Sequence, residues 1–250
     1  MLTLLDFGGA SSALDLLAWS PPGWGATLVA GLRNTILIAF GAYALGLAIG
    51  VLGAFGKLYG GPVAKDLLGA YTTLVRAVPE LVLILILNYA FRGLLNQVMA
   101  KMGYPPVELS GVAIGIAILG VVQGAYSTEV IRGAILSVPA GQIEAARAMG
   151  MSPILLARRI TLPLMMSAAI PGLANLWLTV TKDTALLAVV GFIELTKATS
   201  LAAATTKAFL TFYLAGGVLY LVLSLGSTVI FHRIEKWARK GQRLVGRGGQ

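Results

Sequence analysis

Residues 34–56 carry no charged side chain, and a helix of about 23 residues spans the roughly 30 Å hydrocarbon core of a bilayer. Four further runs reach or approach that length: residues 67–91, 109–128, 162–181 and 208–231. In lipid every backbone polar group must be satisfied within the chain, so runs of this kind fold as helices. The expectation is an all-α, polytopic integral membrane protein with five transmembrane helices. Composition agrees, at 57% hydrophobic and 12% charged residues against roughly 45–50% and 25% in soluble domains. Between the runs, residues 57–66 and 92–108 read as loops, and Pro171-Gly172 is expected to kink the fourth span. Residues 184–193 are apolar but too short to cross, and read as a re-entrant or interfacial segment. Gly41, Gly46, Gly50 and Gly53 leave flat surfaces on the first span for close helix packing.

The apolar pattern is broken by one polar, basic stretch, residues 142–163, QIEAARAMGMSPILLARRITLP. It reads as two short helices joined by a tight turn. Gly150 suits the left-handed position that ends the first, Ser152 can cap the second, Pro153 fits its first turn, and Pro163 is expected to limit it. Such a pair is a docking surface. Small Ala145 and Ala146 admit a partner closely, Glu144 favours the positive end of its helix, and Arg158 with Arg159 supply charge.

Charge inside the spans is costly unless it faces protein or water. Arg76 and Glu80, with Pro79 between them, therefore line something polar or neutralise each other four residues apart on one helix face. Lys182-Asp183, at the end of the fourth span, read as backbone turned towards a cavity, and Glu129 with Arg132 as anchors near the membrane surface. Five spans put the termini on opposite faces. Lys57, Lys65, Arg132, Arg147, Arg158, Arg159, Arg233, Lys236, Arg239, Lys240, Arg243 and Arg247 fall on one side, and only Arg92, Lys101, Lys182, Lys197 and Lys207 on the other. The richer side is expected in the cytoplasm, which leaves the N-terminus outside. Residues 1–25 hold Asp6 and Asp15 but no Lys or Arg, unlike the basic start of a cleaved signal peptide. Trp19 and Trp24 there fit either an interfacial segment or a small core. The expected division is an external or interfacial segment over residues 1–26, a transmembrane domain over 27–232 and a basic tail over 233–250.

Several function classes drop out. The chain has no cysteine and one histidine, which excludes thiolate metal sites and leaves no histidine-based metal centre. It has no GxxxxGK[ST] loop, so ATP is not expected to bind here. The spans lack the convergent acid, base and nucleophile of a membrane enzyme and the filter or charge ring of a channel. The net charge of +9 is read as cytoplasmic loops meeting anionic headgroups, not as a nucleic-acid surface.

Three segments carry a resemblance. The order EAA, Gly, then Ile-Thr-Leu-Pro in residues 142–163 resembles the EAA loop of ABC importer permeases. YTTLVRAVPELVLIL at 71–85, GAYSTEVIRGAILSVPAGQIEAARAMG at 124–150 and Lys182-Asp183-Thr184-Ala185-Leu186 are similar to the polar amino acid branch of type I ABC permeases. Within it the likeness is to the Q-type subunits of histidine/lysine/arginine/ornithine and opine permeases. Arg76-Ala77-Val78-Pro79 departs from the Arg-Gly-Thr-Pro frequent there. The resemblance implies the type I permease fold in a bacterial inner membrane and a non-catalytic subunit without a cofactor of its own. It also implies a sister permease, a pair of ABC ATPase subunits that bind the ATP, and a periplasmic substrate-binding protein. Gln142, Glu144, Ala145, Ala146, Gly150, Arg158, Arg159 and Pro163 would couple to the ATPase, while Arg76, Glu80, Lys182 and Asp183 would line the path of a basic amino acid or an opine.

Overall fold

The computed structural model describes residues 13–105 and 110–238. Asp6, Glu108, Leu109 and the tail residues Arg239, Lys240, Arg243 and Arg247 lie outside the described residues. All regular structure among the described residues is helical: α1 Ala13–Leu16, α2 Gly25–Tyr59, α3 Pro62–Ala77, α4 Glu80–Lys101, α5 Gly111–Leu136, α6 Ala140–Ala148, α7 Pro153–Leu156, α8 Leu162–Asp183, α9 Leu195–Thr206 and α10 Phe209–Ala238. A π-helical turn, Ala157–Thr161, joins α7 to α8, and a 3₁₀ segment, Thr184–Val190, follows α8.

Five helical stretches are long and apolar enough to cross a membrane: Gly25–Tyr59, Glu80–Lys101, Gly111–Leu136, Pro153–Val190 and Phe209–Ala238. They outrun the uncharged stretches because charge bars a residue from hydrocarbon depth, not from a helix, and Lys, Arg and Glu are good helix formers. Thus α2 takes in Arg33 and Lys57, and α5 takes in Glu129 and Arg132. The second span is relocated. Pro79 disfavours the helical conformation at the residue before it, and Val78 is extended at φ −94°, ψ 138°. The expected span at 67–91 therefore divides into α3 and α4. The loop expected at 57–66 shrinks to a turn at Gly60-Gly61, with Pro62 opening α3, and the loop expected from Arg92 is helix as far as Lys101.

The chain falls into two compact units. One combines the described residues up to Ala42 with those of Leu81–Leu119 and with Val180–Ser224. Leu28, Leu195, Ala202, Ala203, Ala208 and Phe212 form its core, and Leu16, Leu17 and Trp24 pack on it. Trp24 is therefore a core residue, while Trp19 is 68% exposed. The same unit holds a fully buried carboxylate, Glu194, at the N-cap of α9. Its oxygens accept from the Thr196 and Lys197 amides at 2.8 Å each, from Tyr220 Oη at 2.8 Å and from Thr35 Oγ1 at 3.4 Å. A carboxylate is tolerated there because four donors replace its water.

The other unit combines Tyr43–Glu80, Gly120–Thr179 and the described residues from Leu225 on. Here α2 and α5 meet along a seam of small residues. A Cβ at Gly46 would lie 2.7 Å from the Gln123 side chain, one at Gly50 2.4 Å from Ser127 Cβ, and one at Gly53 2.3 Å from Thr128 Oγ1. The backbones approach this closely only because those side chains are absent. Tyr43, Trp177 and Phe231 pack as an aromatic cluster, and Tyr43 Oη donates to the Leu173 carbonyl at 3.0 Å.

Candidate functional site

The stretch at 140–163 begins with α6, whose N-cap is the extended Pro139. At its other end Met149 is the C-cap and Gly150 stands at φ +75°. The Gly150 amide donates to the Arg147 carbonyl at 2.9 Å and the Met151 amide to the Ala146 carbonyl at 3.1 Å. Those two bonds make a Schellman motif, which satisfies the carbonyls that a helix end leaves open. Ser152 Oγ then accepts from the Leu155 amide at 3.4 Å, with Pro153 as the first residue of α7. The turn, cap and first-turn proline expected from the sequence are all present.

Three details differ from expectation. First, α6 starts at Ala140, so Glu144 is its fifth residue, beyond the first turn where the helix dipole acts. Second, Ala145 is exposed but Ala146 is buried within this chain, so only the former is open to a partner. Third, Pro163 does not limit the second helix. The chain runs helically from Pro153 to Asp183, and the Leu162 amide bonds to the Ala157 carbonyl five residues back. The extra residue of that π turn gives the proline ring room against the carbonyl it would otherwise strike. Arg158 and Arg159 sit exposed on the π turn, and Gln142 and Pro163 are exposed as well. Beside the loop a mostly apolar cavity of about 550 Å³ is lined by Phe55, Tyr59, Ile135, Arg147, Ile154 and Leu162, among others.

In the same unit an ion cluster ties α2, α3 and α5 together. Lys57 Nζ donates to Glu129 Oε1 at 2.6 Å and to Thr72 Oγ1 at 2.9 Å; Arg132 donates to Glu129 Oε2 through Nε at 3.0 Å and Nη2 at 2.8 Å. The pairing of Glu129 with Arg132 is legible as a three-residue spacing on one helix. Lys57, 72 residues from Glu129, carries no such signal. Glu129→Gln leaves two cations side by side at side-chain exposures of 18% and 34%. The expected loss is about 2 kcal/mol, below the cost of breaking a fully buried pair. Thermal unfolding in detergent checks this, and Lys57→Met combined with Glu129→Leu should be less destabilised than Glu129→Gln, because only Arg132, the more exposed of the two cations, then lacks its partner.

The charged residues expected along a substrate path are placed as follows. Arg76 is exposed in the last turn of α3, and Glu80 opens α4. The break at Val78-Pro79 removes the shared helix face, and no ion pair joins the two among the described residues. Glu80 Oε1 instead accepts from Tyr126 Oη at 3.3 Å. Lys182 is exposed in the last turn of α8, and Asp183 is both the last residue of α8 and the N-cap of the 3₁₀ segment. Arg76 and Glu80 belong to the Tyr43–Glu80 unit, Lys182 and Asp183 to the other. Thr184 and Leu187 of the 3₁₀ segment are buried, and the segment closes on Gly191 at φ +90°.

Comparison with known proteins agrees with this architecture. Residues 46–240 match the family model described as binding-protein-dependent transport system inner membrane component. The chain is 40% identical over 236 residues to the nopaline transport system permease protein NocQ of Agrobacterium fabrum, covering 92% of this chain and 98% of that one. It is 37% identical to the histidine/lysine/arginine/ornithine transport system permease protein HisQ of Escherichia coli, covering 86% and 94%. Among solved structures, one titled as an amino acid ABC transporter with histidines superposes with a TM-score of 0.71 at 25% identity, over 85% of this chain and 94% of that one. With its model matched over residues 46–240 and relatives of this identity spanning most of the chain, the protein belongs to the family of binding-protein-dependent transport system inner membrane components.

Proposed function

We propose that this chain is the permease subunit of an ATP-driven importer of polar, cationic amino acids, or of the opines made from them, in a bacterial inner membrane. The observation that carries the reading is the exposed helical pair at 140–163, held at a fixed angle by a left-handed glycine and continuous through the π turn with α8. An ATPase gripping α6 would move α8 as one lever. Relatives named for nopaline and for histidine, lysine, arginine and ornithine support the substrate class. The machine then comprises this chain and a sister permease, a pair of ATPase subunits that hold the ATP, and a periplasmic binding protein. Membrane lipid surrounds it, and it has no nucleic-acid partner. The N-terminus lies outside and the basic tail in the cytoplasm, because the richer Lys/Arg side faces inward.

In the mechanism, closure of the ATPase pair draws the two α6 helices together and the spans rock as rigid bodies between inward-facing and outward-facing states. Gln142, Glu144, Ala145, Arg158 and Arg159 present the gripping surface, Gly150 sets its angle, Ala146 packs it onto the subunit, and Pro163 lies where the motion enters α8. Glu80 and Asp183 offer carboxylates to a cationic side chain, while Arg76 offers a planar fork to a carboxylate and Lys182 a second positive charge. The test is reconstitution with the ATPase and binding protein that assemble with this chain. Labelled arginine should accumulate only with ATP, and Glu80→Gln should lower uptake about tenfold while ATP hydrolysis stays within about twofold. Uptake that ignores ATP would make the chain a passive pore.

A further inference from the structure

The unit that contains Glu194 also holds a cavity of about 330 Å³ with a single charged residue in its lining, Arg92. Arg92 lies on α4 beside Gly111, the first residue of α5, where a guanidinium next to apolar helices is held at low cost only if it meets water, a counter-charge or a ligand. Among the described residues no carboxylate pairs with it. It is nevertheless held in place. Its Nε donates to Oδ1 of the buried Asn88 at 3.2 Å, one helical turn back, and its guanidinium carbon lies 5.8 Å from the centre of the Phe192 ring. That ring is itself fixed, because it is 4% exposed and packs into the space a Cβ on Gly111 would occupy, 2.7 Å from Phe192 Cδ1.

Anchoring through Nε and one face leaves the outer edge of the guanidinium, whose two Nη groups have no hydrogen-bond partner among the described residues, to meet a planar two-oxygen acceptor. Asn34, also in the cavity lining, is oriented by a 2.8 Å bond from Nδ2 to the Ile193 carbonyl, two residues beyond the left-handed Gly191. A positioned fork, an oriented amide and a volume suited to a small solute describe a receptor for a carboxylate. We infer that this cavity binds a carboxylate of the transported solute, with Arg92 as the specificity-determining residue and Asn34 as its second contact. The inference rests on the importer reading above.

The experiment uses the assembled transporter in phosphatidylcholine vesicles and follows modification of Arg92 by an arginine-selective dicarbonyl reagent, read by mass spectrometry. L-Histidine, which has no guanidine to consume the reagent, should slow the modification several-fold, whereas histamine, the same imidazole without the carboxylate, should not. Equal protection by histamine, protection only when phosphatidylglycerol replaces phosphatidylcholine, or no protection at all would overturn the proposal; the second of these would reassign the cavity to a lipid phosphate. In parallel, Arg92→Gln should lower arginine uptake about tenfold or more, the scale of a charge-assisted hydrogen bond, and Arg92→Lys should recover part of it. Should Arg92→Gln fail to assemble, the protection measurement on the parent protein still decides. ATP-driven uptake without protection removes this site alone, while absence of ATP-driven uptake removes the importer reading itself.

Discussion

Gly150→Val should reduce solute uptake to below about a tenth of the parent while leaving membrane insertion and subunit assembly intact. The position isolates a backbone effect. A Cβ built on Gly150 meets nothing within 4 Å, so packing does not oppose the substitution, but the residue stands at φ +75°, which a β-branched side chain strongly disfavours. Leaving that conformation costs the bonds from the Gly150 and Met151 amides and with them the angle between α6 and α7. The left-handed penalty is about 1–2 kcal/mol for an L-residue, which is enough to reopen a terminal turn. The measurement pairs uptake with ATP hydrolysis stimulated by loaded binding protein, and an uncoupled transporter loses the first however the second behaves. Gly150→Asn should retain much more activity, since asparagine tolerates the left-handed region. Full uptake by the valine variant would remove the turn from the transmission of force.

Glu194→Ala should be the most destabilising single change at any residue named here. The side chain is completely buried and accepts from two backbone amides and two hydroxyls. Alanine strands the first amides of α9 together with Tyr220 and Thr35, and each buried donor left unpaired costs about 1–3 kcal/mol. Some relief comes from Tyr220, whose hydroxyl also lies 3.1 Å from Thr196 Oγ1. A net loss of about 3–5 kcal/mol is expected, read as a lowered melting temperature in detergent and poor recovery from membranes. Glu194→Gln should lose less, because one oxygen still accepts while the amide group now faces donors. A melting point within about one degree of the parent for the alanine variant would mean that water replaces the carboxylate in that site.

How much of this was readable in advance follows from the range over which each interaction acts. Bilayer hydrocarbon is a uniform solvent, so five apolar runs announce five crossings without any knowledge of packing. The caps around Gly150 and Ser152 are equally local, and both were legible. Boundaries were not, because the absence of charge marks hydrocarbon depth while helices continue through Arg33, Lys57 and Glu129. Pro79 stood in plain view, but the length of the run around it masked its effect on Val78, and α3 was merged with α4. Pro163 misled in the opposite sense, since a widened turn a few residues earlier lets the helix carry it. The contacts of Lys57 with Glu129 and of Thr35 with Glu194 join residues 72 and 159 apart, and no local pattern encodes such a meeting. Glu194 is the sharper lesson: a single acid just past a short apolar segment carries no pattern of its own, yet it is fully buried and gathers four donors in its unit.

The seam between α2 and α5 bears on how genetics of this protein will read. At positions 46, 50 and 53 the facing atoms are already within 2.3–2.7 Å of where a methyl group would go. Transport-negative alleles will therefore collect on α2 at intervals of four and three residues, the same spacing that a pore-lining stripe would produce. Their cause is helix spacing, because each added methyl pushes Gln123, Ser127 or Thr128 away, and every partner of α5 in that unit shifts with it. A map of loss-of-function positions would thus draw a false pathway down α2, and only compensating reductions in size on the facing helix would expose it as a matter of clearance.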